Sequence, residues 1–258
     1  MLDLSGKTAL VTGIANDRSI AWGIAQQLHQ AGAKLGVTYL PDDRDRGKNK
    51  VTKLTADLSP SFVLPCDVQD DAQIDAMYAE IGKAWEKIDI LVHCLAFAKK
   101  DELSGDFSNT SRDGFKLALD VSAFSLIRLC QGAKPMMTDG GSVITLTYIG
   151  GVKVVPNYNI MGIAKAALEM NVRYLAQEMG TQNVRVNGIS AGPIRTLASS
   201  AVGDIHKMLH HFEEVAPLKR LVTQQEVGNI AAFLGSDLAT AITGQIIYAD
   251  CGYEIMGA

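Results

Sequence analysis

Short apolar runs alternate with longer amphipathic stretches along almost the whole chain. Lys7–Thr12 (KTALVT), Lys34–Tyr39 (KLGVTY), Phe62–Cys66, Ile90–His93, Ser142–Thr147 (SVITLT), Val184–Ile189 (VRVNGI) and Gln245–Tyr248 (QIIY) are too short for buried helices. Their apolar residues fall on consecutive positions, the pattern of strands covered on both faces. Between them, Ile20–Ala31, Asp43–Leu58, Ala72–Lys87, a stretch near Arg112–Lys134, the segment from Asn159 onward and Gln224–Leu234 read as helices. Gly32 supplies a stop signal for the first of these. So regular an alternation predicts an α/β fold: a doubly wound, Rossmann-type parallel sheet of about seven strands with helices on both faces. With no linker and no repeat of solenoid period, residues 1–258 are expected to form a single domain.

Composition narrows the class without changing the picture. The chain has 258 residues, of which 47% are hydrophobic and 20% charged, ample for one sizeable core. A net charge of −4 disfavours general affinity for nucleic acid or anionic membrane. Cys66, Cys94, Cys130 and Cys251 show no paired spacing, which suits a reduced compartment better than a disulfide framework. The first residues lead straight into a strand, and no apolar run approaches the length of a membrane span. The expected location is the cytosol.

Doubly wound sheets bind ligands at the carboxyl ends of their strands. The first strand ends in Thr12-Gly13 and leads through Ser19 into Ile20-Ala21. A G-x-G-x-x-G string is absent, but Gly13 allows a tight turn, and Ser19 with the amides from Ile20 onward can meet a pyrophosphate. After the third strand, Asp67-Val68 brings a carboxylate within reach of an adenine amino group. After the fourth, His93-Cys94-Leu95-Ala96-Phe97-Ala98 offers small residues for a flat cofactor to lie against. After the sixth, Ile194-Arg195-Thr196 offers amides and a hydroxyl for a carboxamide and phosphates. Each signal is weak alone; four at successive strand ends, in order, indicate a dinucleotide site.

Tyr148, Tyr158 and Lys165 supply the chemistry. Tyr158 stands at the start of the predicted helix, and Lys165 is close to two turns further on, so both face one side. A phenol and an ammonium aimed into one cleft suit a reaction in which charge develops on a substrate oxygen. A tyrosine at a helix start and a helical lysine are each commonly structural; their combination within this sheet order is what points to function.

The order LVTG, CDV, LVHCLAFA, the tyrosine–lysine helix, VRVNGISAGPIRT and TGQIIYADCGY spans nearly the whole chain and resembles the short-chain dehydrogenase/reductase superfamily. Most of that superfamily carries Tyr-x3-Lys. Here four residues beyond Tyr158 is Gly162, and four beyond Tyr148 is Val152. The arrangement Tyr148-x9-Tyr158-x6-Lys165, within MGIAKAALEMNVRYLA, together with Gly13-x5-Ser19, resembles the NADH-dependent enoyl-acyl-carrier-protein reductases of bacterial fatty-acid synthesis. The resemblance implies hydride delivery to the β-carbon of a trans-2-enoyl thioester, Tyr158 bonding the enolate oxygen and Lys165 holding the nicotinamide ribose. It implies a catalytic set of Tyr148, Tyr158 and Lys165, and a substrate set of Ala98, Tyr148 and Tyr158. The implied cofactor contacts are Gly13, Ser19, Ile20, Leu40, Asp67, Val68, Leu95, Lys165, Ile194, Arg195, Thr196, Leu197 and Ala198. Residues 194–211 are expected to form a substrate-binding loop. Acyl carrier protein is the implied partner and a homotetramer the implied assembly.

Whether Tyr148 donates a proton or orients the acyl chain stays open. Leu40-Pro41-Asp42-Asp43 after the second strand offers no cation for a 2′-phosphate, which favours NADH, while Arg44 and Lys48 leave NADPH as an alternative. A carbonyl reductase and a non-catalytic dinucleotide sensor are the other function classes; the missing Tyr-x3-Lys argues against the first, the retained Tyr158 and Lys165 against the second. His206 and His210 have a metal-ligand spacing, but without H-E-x-x-H they read as an exposed helix face, and no metal is expected.

Overall fold

Every strand that the apolar runs predict is present, and all pair in parallel. The computed structural model describes residues 2–194 and 205–257. The strands are β1 (Thr8–Val11), β2 (Lys34–Tyr39), β3 (Val63–Pro65), β4 (Ile90–His93), β5 (Gly141–Thr147), β6 (Val184–Ala191) and β7 (Ile246–Ala249). Their spatial order is β3-β2-β1-β4-β5-β6-β7. From β1 the chain winds outward through β2 and β3, then crosses back to lay β4 on the other side of β1. This reversal opens a crevice at the carboxyl ends of β1 and β4.

The continuous apolar character of the strands has a simple cause. Ala9, Val11, Val37, Ile90, Val92 and Ile144 face one layer of helices, α1 (Ile20–Gln30) and α8 (Gln224–Gly235). Their neighbours Leu10, Leu91, Val143 and Val186 face the other layer, built from α3 (Asp71–Ala84), α5 (Ser125–Ala133) and α6 (Asn159–Met179). Strand alternation sends successive side chains into two separate cores, so both sets must be apolar. The remaining helices are α2 (Arg46–Thr55), α4 (Arg112–Leu119) and α7 (Ile205–Val215).

Two boundaries differ from the sequence expectation. The helix expected to run to Lys87 stops at Ala84, because Trp85 turns into extended backbone and packs its ring 4.6 Å from Phe62. The stretch near Arg112–Lys134 is two helices, α4 and α5, joined by a π-helical turn at Asp120–Phe124. Serine hydroxyls compete there for backbone groups. Ser125 Oγ donates to the Val121 carbonyl at 2.6 Å, and Ser122 Oγ accepts from the Phe97 amide at 3.0 Å. The irregular turn thereby reaches the segment leaving β4, on the same edge of the sheet as the crevice.

Candidate active site

Parallel pairing puts the carboxyl ends of all the strands on one edge, and there the residues singled out from the sequence converge. Gly13 follows β1, Leu40 follows β2, Asp67 and Val68 follow β3, Leu95 and Ala98 follow β4, Tyr148 follows β5 and Ile194 follows β6. Arg195, Thr196, Leu197 and Ala198, with most of the 194–211 loop, lie outside the described residues.

Gly13 adopts φ +87°, and a Cβ there would lie 2.1 Å from the Cys94 carbonyl oxygen. The turn after β1 thus runs directly against the backbone leaving β4, which only glycine permits. The following loop is tied by its own polar groups. Asn16 Oδ1 accepts from the Arg18 amide at 2.7 Å, and Ser19 Oγ donates to the Asn16 carbonyl at 2.6 Å. Ser19 is the N-cap of α1, and Gln224 of α8 donates to its carbonyl at 2.6 Å. The cap has no side-chain hydrogen bond among the described residues, so the first amides of α1 present donors and the positive end of the helix dipole. That cradle fits a dinucleotide pyrophosphate.

Beyond β2, Leu40 is 66% exposed, a bare apolar shelf. The Asp42 carboxylate accepts from the amides of Gly47 (2.7 Å), Arg44 (3.0 Å) and Arg46 (3.3 Å). The Gly47 bond foremost holds its pKa down at about 2, so a negative charge stands beside the place where a 2′-phosphate would lie. Asp67 uses one carboxylate oxygen on the Gln69 amide at 3.0 Å, which orients the group. Val68 and Leu95 pack into the core on the α3–α5–α6 face and Ile194 into that on the α1–α8 face.

The tyrosines meet across a glycine-lined turn. Asn157 and Asn159, with φ 60° and 36°, bracket Tyr158; asparagine tolerates the left-handed region that this reversal into α6 requires. Tyr158 is the N-cap of α6, and its ring sits edge-on to Tyr148, centroids 5.0 Å apart at 67°. Ala98 packs with Tyr158 against Leu103, Ala118, Ile160 and Met161. Burial raises the pKa of both phenols, so each remains a protonated donor around neutrality. The Tyr148 hydroxyl approaches the Met208 sulfur of α7 at 3.7 Å. The absent Tyr-x3-Lys also has a steric reason: a Cβ at Gly162 would come within 2.8 Å of the Gly150 carbonyl oxygen. α6 rests on that turn backbone to backbone, and no lysine fits at position 162.

Lys165 is the chemical anomaly of α6. It lies on the buried stripe with Met161, Ala164, Leu168 and Val172, and is only 6% exposed. Its ammonium donates to the Leu146 carbonyl at 2.8 Å, leaving two further N–H groups. Burial holds its pKa down at about 8, while Cys94 and Glu169 pull it upward. Cys94 itself is pushed up to about 12 by burial, so it is a neutral thiol and no nucleophile. His93 lies wholly inside, Nδ1 2.8 Å from Thr145 Oγ1 and Nε2 2.8 Å from Ser125 Oγ. Ser125 gives its proton to Val121, so it must accept from Nε2–H, and Thr145 donates to Nδ1. Desolvation, then the Lys165 charge, drives the His93 pKa down to about 3; it is a neutral strut. His210 faces Glu214 at 3.5 Å, while the side chain of His206 lies outside the described residues.

Sequence reasoning missed several residues that shape this edge: Ser122, Ser125, Thr145, Thr147 and Glu169. The available signal was polar residues on helix or strand faces whose other members are apolar.

A family model described as enoyl-(acyl carrier protein) reductase matches residues 13–254. An enoyl-[acyl-carrier-protein] reductase [NADH] of Synechocystis sp. is 68% identical over 257 residues, covering 100% of both chains. The Escherichia coli protein of the same description is 50% identical, covering 98% of this chain and 95% of its own. The crystal structure of the Bacillus cereus enoyl-acyl carrier protein reductase with NADP+ and indole naphthyridinone superposes with TM-score 0.96 at 52% identity, covering 100% of both chains.

Proposed function

The chain belongs to the enoyl-(acyl carrier protein) reductase family, and from that premise we infer that Tyr158 and Lys165 are the working pair of its reaction. The enzyme reduces the carbon–carbon double bond of trans-2-enoyl-acyl-carrier-protein thioesters with NADH, a step of fatty-acid synthesis. Bound NADH supplies the hydride that adds to the β-carbon of the substrate.

Addition there sends negative charge along the conjugated system to the thioester oxygen, three bonds from the attacked carbon, and a proton taken up at the α-carbon completes the reduction. A donor is needed at that displaced oxygen. Tyr158 donates to it, because its phenol keeps its proton and Tyr148 and the cluster of Leu103, Ala118, Ile160 and Met161 hold the ring. Lys165 directs its two remaining N–H groups to the ribose hydroxyls of the cofactor and adds positive potential beneath the developing charge. Tyr148 lines the acyl side of the cleft with Met208. Gly13, Ser19 and Ile20 cradle the pyrophosphate, Asp67 and Val68 border the adenine, and Leu40 covers the adenosine by apolar contact. Leu95 and Ile194 border the nicotinamide end; Arg195, Thr196, Leu197 and Ala198, outside the described residues, are expected to contact the cofactor as well.

The observation that carries this reading is the replacement of Tyr-x3-Lys by Tyr-x6-Lys, with Gly162 seated on Gly150. The test follows NADH and NADPH absorbance with a crotonyl thioester and with an acetoacetyl thioester. Turnover of the ketone but not of the enoyl substrate would overturn it.

Three further expectations rest on this reading. Lys99 and Lys100 are exposed beside the cleft, with Lys207 and Arg195 expected across it, a cationic rim suited to an acidic carrier protein. Charge reversal at Lys99 and Lys100 is expected to raise KM about 3- to 10-fold for carrier-linked substrate, as lost rim contacts do. An equal rise with a coenzyme A thioester would remove the docking role. For the assembly, Phe115, Phe124, Ile127, Ile163, Met170 and Tyr174 expose apolar surface on the neighbouring helices α4, α5 and α6 and the π-helical turn between the first two, the signature of a self-association face. A homotetramer is expected in sedimentation, and a monomer at micromolar concentration would refute it. The cytosol suits Cys66, Cys94, Cys130 and Cys251, which are all free thiols; recovery in an envelope fraction would contradict that location.

A further inference from the structure

Glu169 lies one helical turn beyond Lys165 on the buried face of α6 and is 3% exposed, with no part in the reaction described above. A carboxylate so deep in a core is costly unless something needs it. Its Oε1 accepts from Thr147 Oγ1 at 2.8 Å, while Lys165 donates to the carbonyl of Leu146, the preceding residue of β5. One strand end therefore grips both charged side chains, each through its own bond, and fixes them one helical turn apart on the same buried face.

We propose that Glu169 is a positioning residue for Lys165: its carboxylate, fixed by Thr147, is the counter-charge that keeps the buried ammonium protonated while it holds the cofactor ribose. This rests on the reading of Lys165 given above. The surroundings leave Glu169 alone in that task. Besides Leu146, the groups acting on Lys165 are the Cys94 thiol at the end of β4 and Glu169, and the thiol carries no charge near neutrality. His93, the remaining titratable neighbour, is neutral. Around Glu169 stand Lys165 and Arg173 on its own helix and Thr147 on β5, all of which favour its ionised form. Burial acts more strongly in the other direction and raises its pKa above the ordinary carboxylate value. Burial foremost raises Tyr158 and, in β7, Tyr248, and the Glu169 charge adds to both.

An ammonium whose pKa sits at about 8 is at the edge of losing its proton under ordinary conditions. Removing the opposing charge one turn away lowers that value further, by about one pH unit at the low end of the usual effect. The sign is definite: the protonated fraction of Lys165, and with it affinity for the ribose, declines as pH rises, and declines earlier without Glu169.

The test is the NADH dissociation constant, read by nucleotide fluorescence across the neutral and alkaline range, for wild type, Glu169→Gln, Glu169→Asp and Thr147→Val. Glutamine keeps the shape and the bond from Thr147 and removes only the charge. Its alkaline loss of affinity is expected about one pH unit below that of wild type. Aspartate, which keeps the charge, is expected to restore most of the profile, and valine at 147 to shift it in the same direction as glutamine but less. Curves for Glu169→Gln that run parallel to wild type, or coincide with it, overturn the proposal. Should glutamine at 169 prevent folding, an unshifted Thr147→Val profile does the same. Lys165→Met separates the two readings. If it leaves NADH affinity unchanged, the ribose role of Lys165 fails; if it weakens binding while Glu169→Gln shifts nothing, only the role of Glu169 fails.

Discussion

Tyr158→Phe is expected to lower kcat on the enoyl thioester by about 10- to 100-fold while leaving the NADH dissociation constant within about twofold, the effect of losing one hydrogen bond to a charged oxygen. The substitution removes one oxygen and keeps the ring, so the edge-on contact with Tyr148 at 5.0 Å and the packing on the cluster that includes Ile160 and Met161 persist. What disappears is the donor at the thioester oxygen, where charge is small in the ground state and large after hydride addition. An interaction of that kind shows in kcat more than in KM. The loss is expected below that of a sealed oxyanion hole, because Tyr158 is only half-buried and water can take the place of the hydroxyl. Steady-state kinetics with a saturating cofactor decides the matter. An unchanged kcat would move the stabilising role away from Tyr158, with Tyr148 the next phenol to test.

The same pair shows how far the sequence carries. Gly13 was legible as a turn after a strand, and the structure adds that the turn presses on the Cys94 carbonyl, a contact 81 residues away in the chain. The strands were legible because burial on both faces leaves mostly apolar positions, and their ends could be placed within one or two residues. The π-helical turn at Asp120–Phe124 was not, since Ser122 and Ser125 read as ordinary helix residues until the segment leaving β4 is brought beside them. Lys165 was legible only through its spacing from Tyr158. Its burial, and the consequent pull on its proton, come from packing α6 against β5, which no local pattern encodes. Glu169 was hidden more shallowly: it shares the apolar stripe of α6 with Leu168 and Val172, but a lone helical glutamate reads as solvated surface. Gly162 is the converse case. Sequence showed a lysine missing from that position, and the structure supplies the cause in the carbonyl of Gly150.

Lys165→Met is expected to weaken NADH binding by about 10²- to 10³-fold, the effect of losing two hydrogen bonds from an ammonium to the ribose together with its positive potential. Methionine matches the length and apolar stem of lysine, so the void left is small. Folding should not suffer. Lys165 titrates at about 8 in the folded chain, below the ordinary lysine value of 10.5. A base with a depressed folded pKa opposes folding while it is charged; that cost is fully present below about pH 8 and fades as pH rises toward the unfolded value. The variant should therefore melt no lower than wild type near neutrality, and any advantage should shrink through the alkaline range. Against this gain stands Glu169, which loses one of its two cations and is driven toward its neutral form, a change that Thr147 and Arg173 only partly resist. Calorimetry of the free enzyme paired with fluorescence titration of NADH measures both sides. A large loss of binding with an intact melting transition identifies Lys165 as a group kept in the core for the cofactor. A collapse of the fold, or undiminished affinity, would show that its place in α6 is structural.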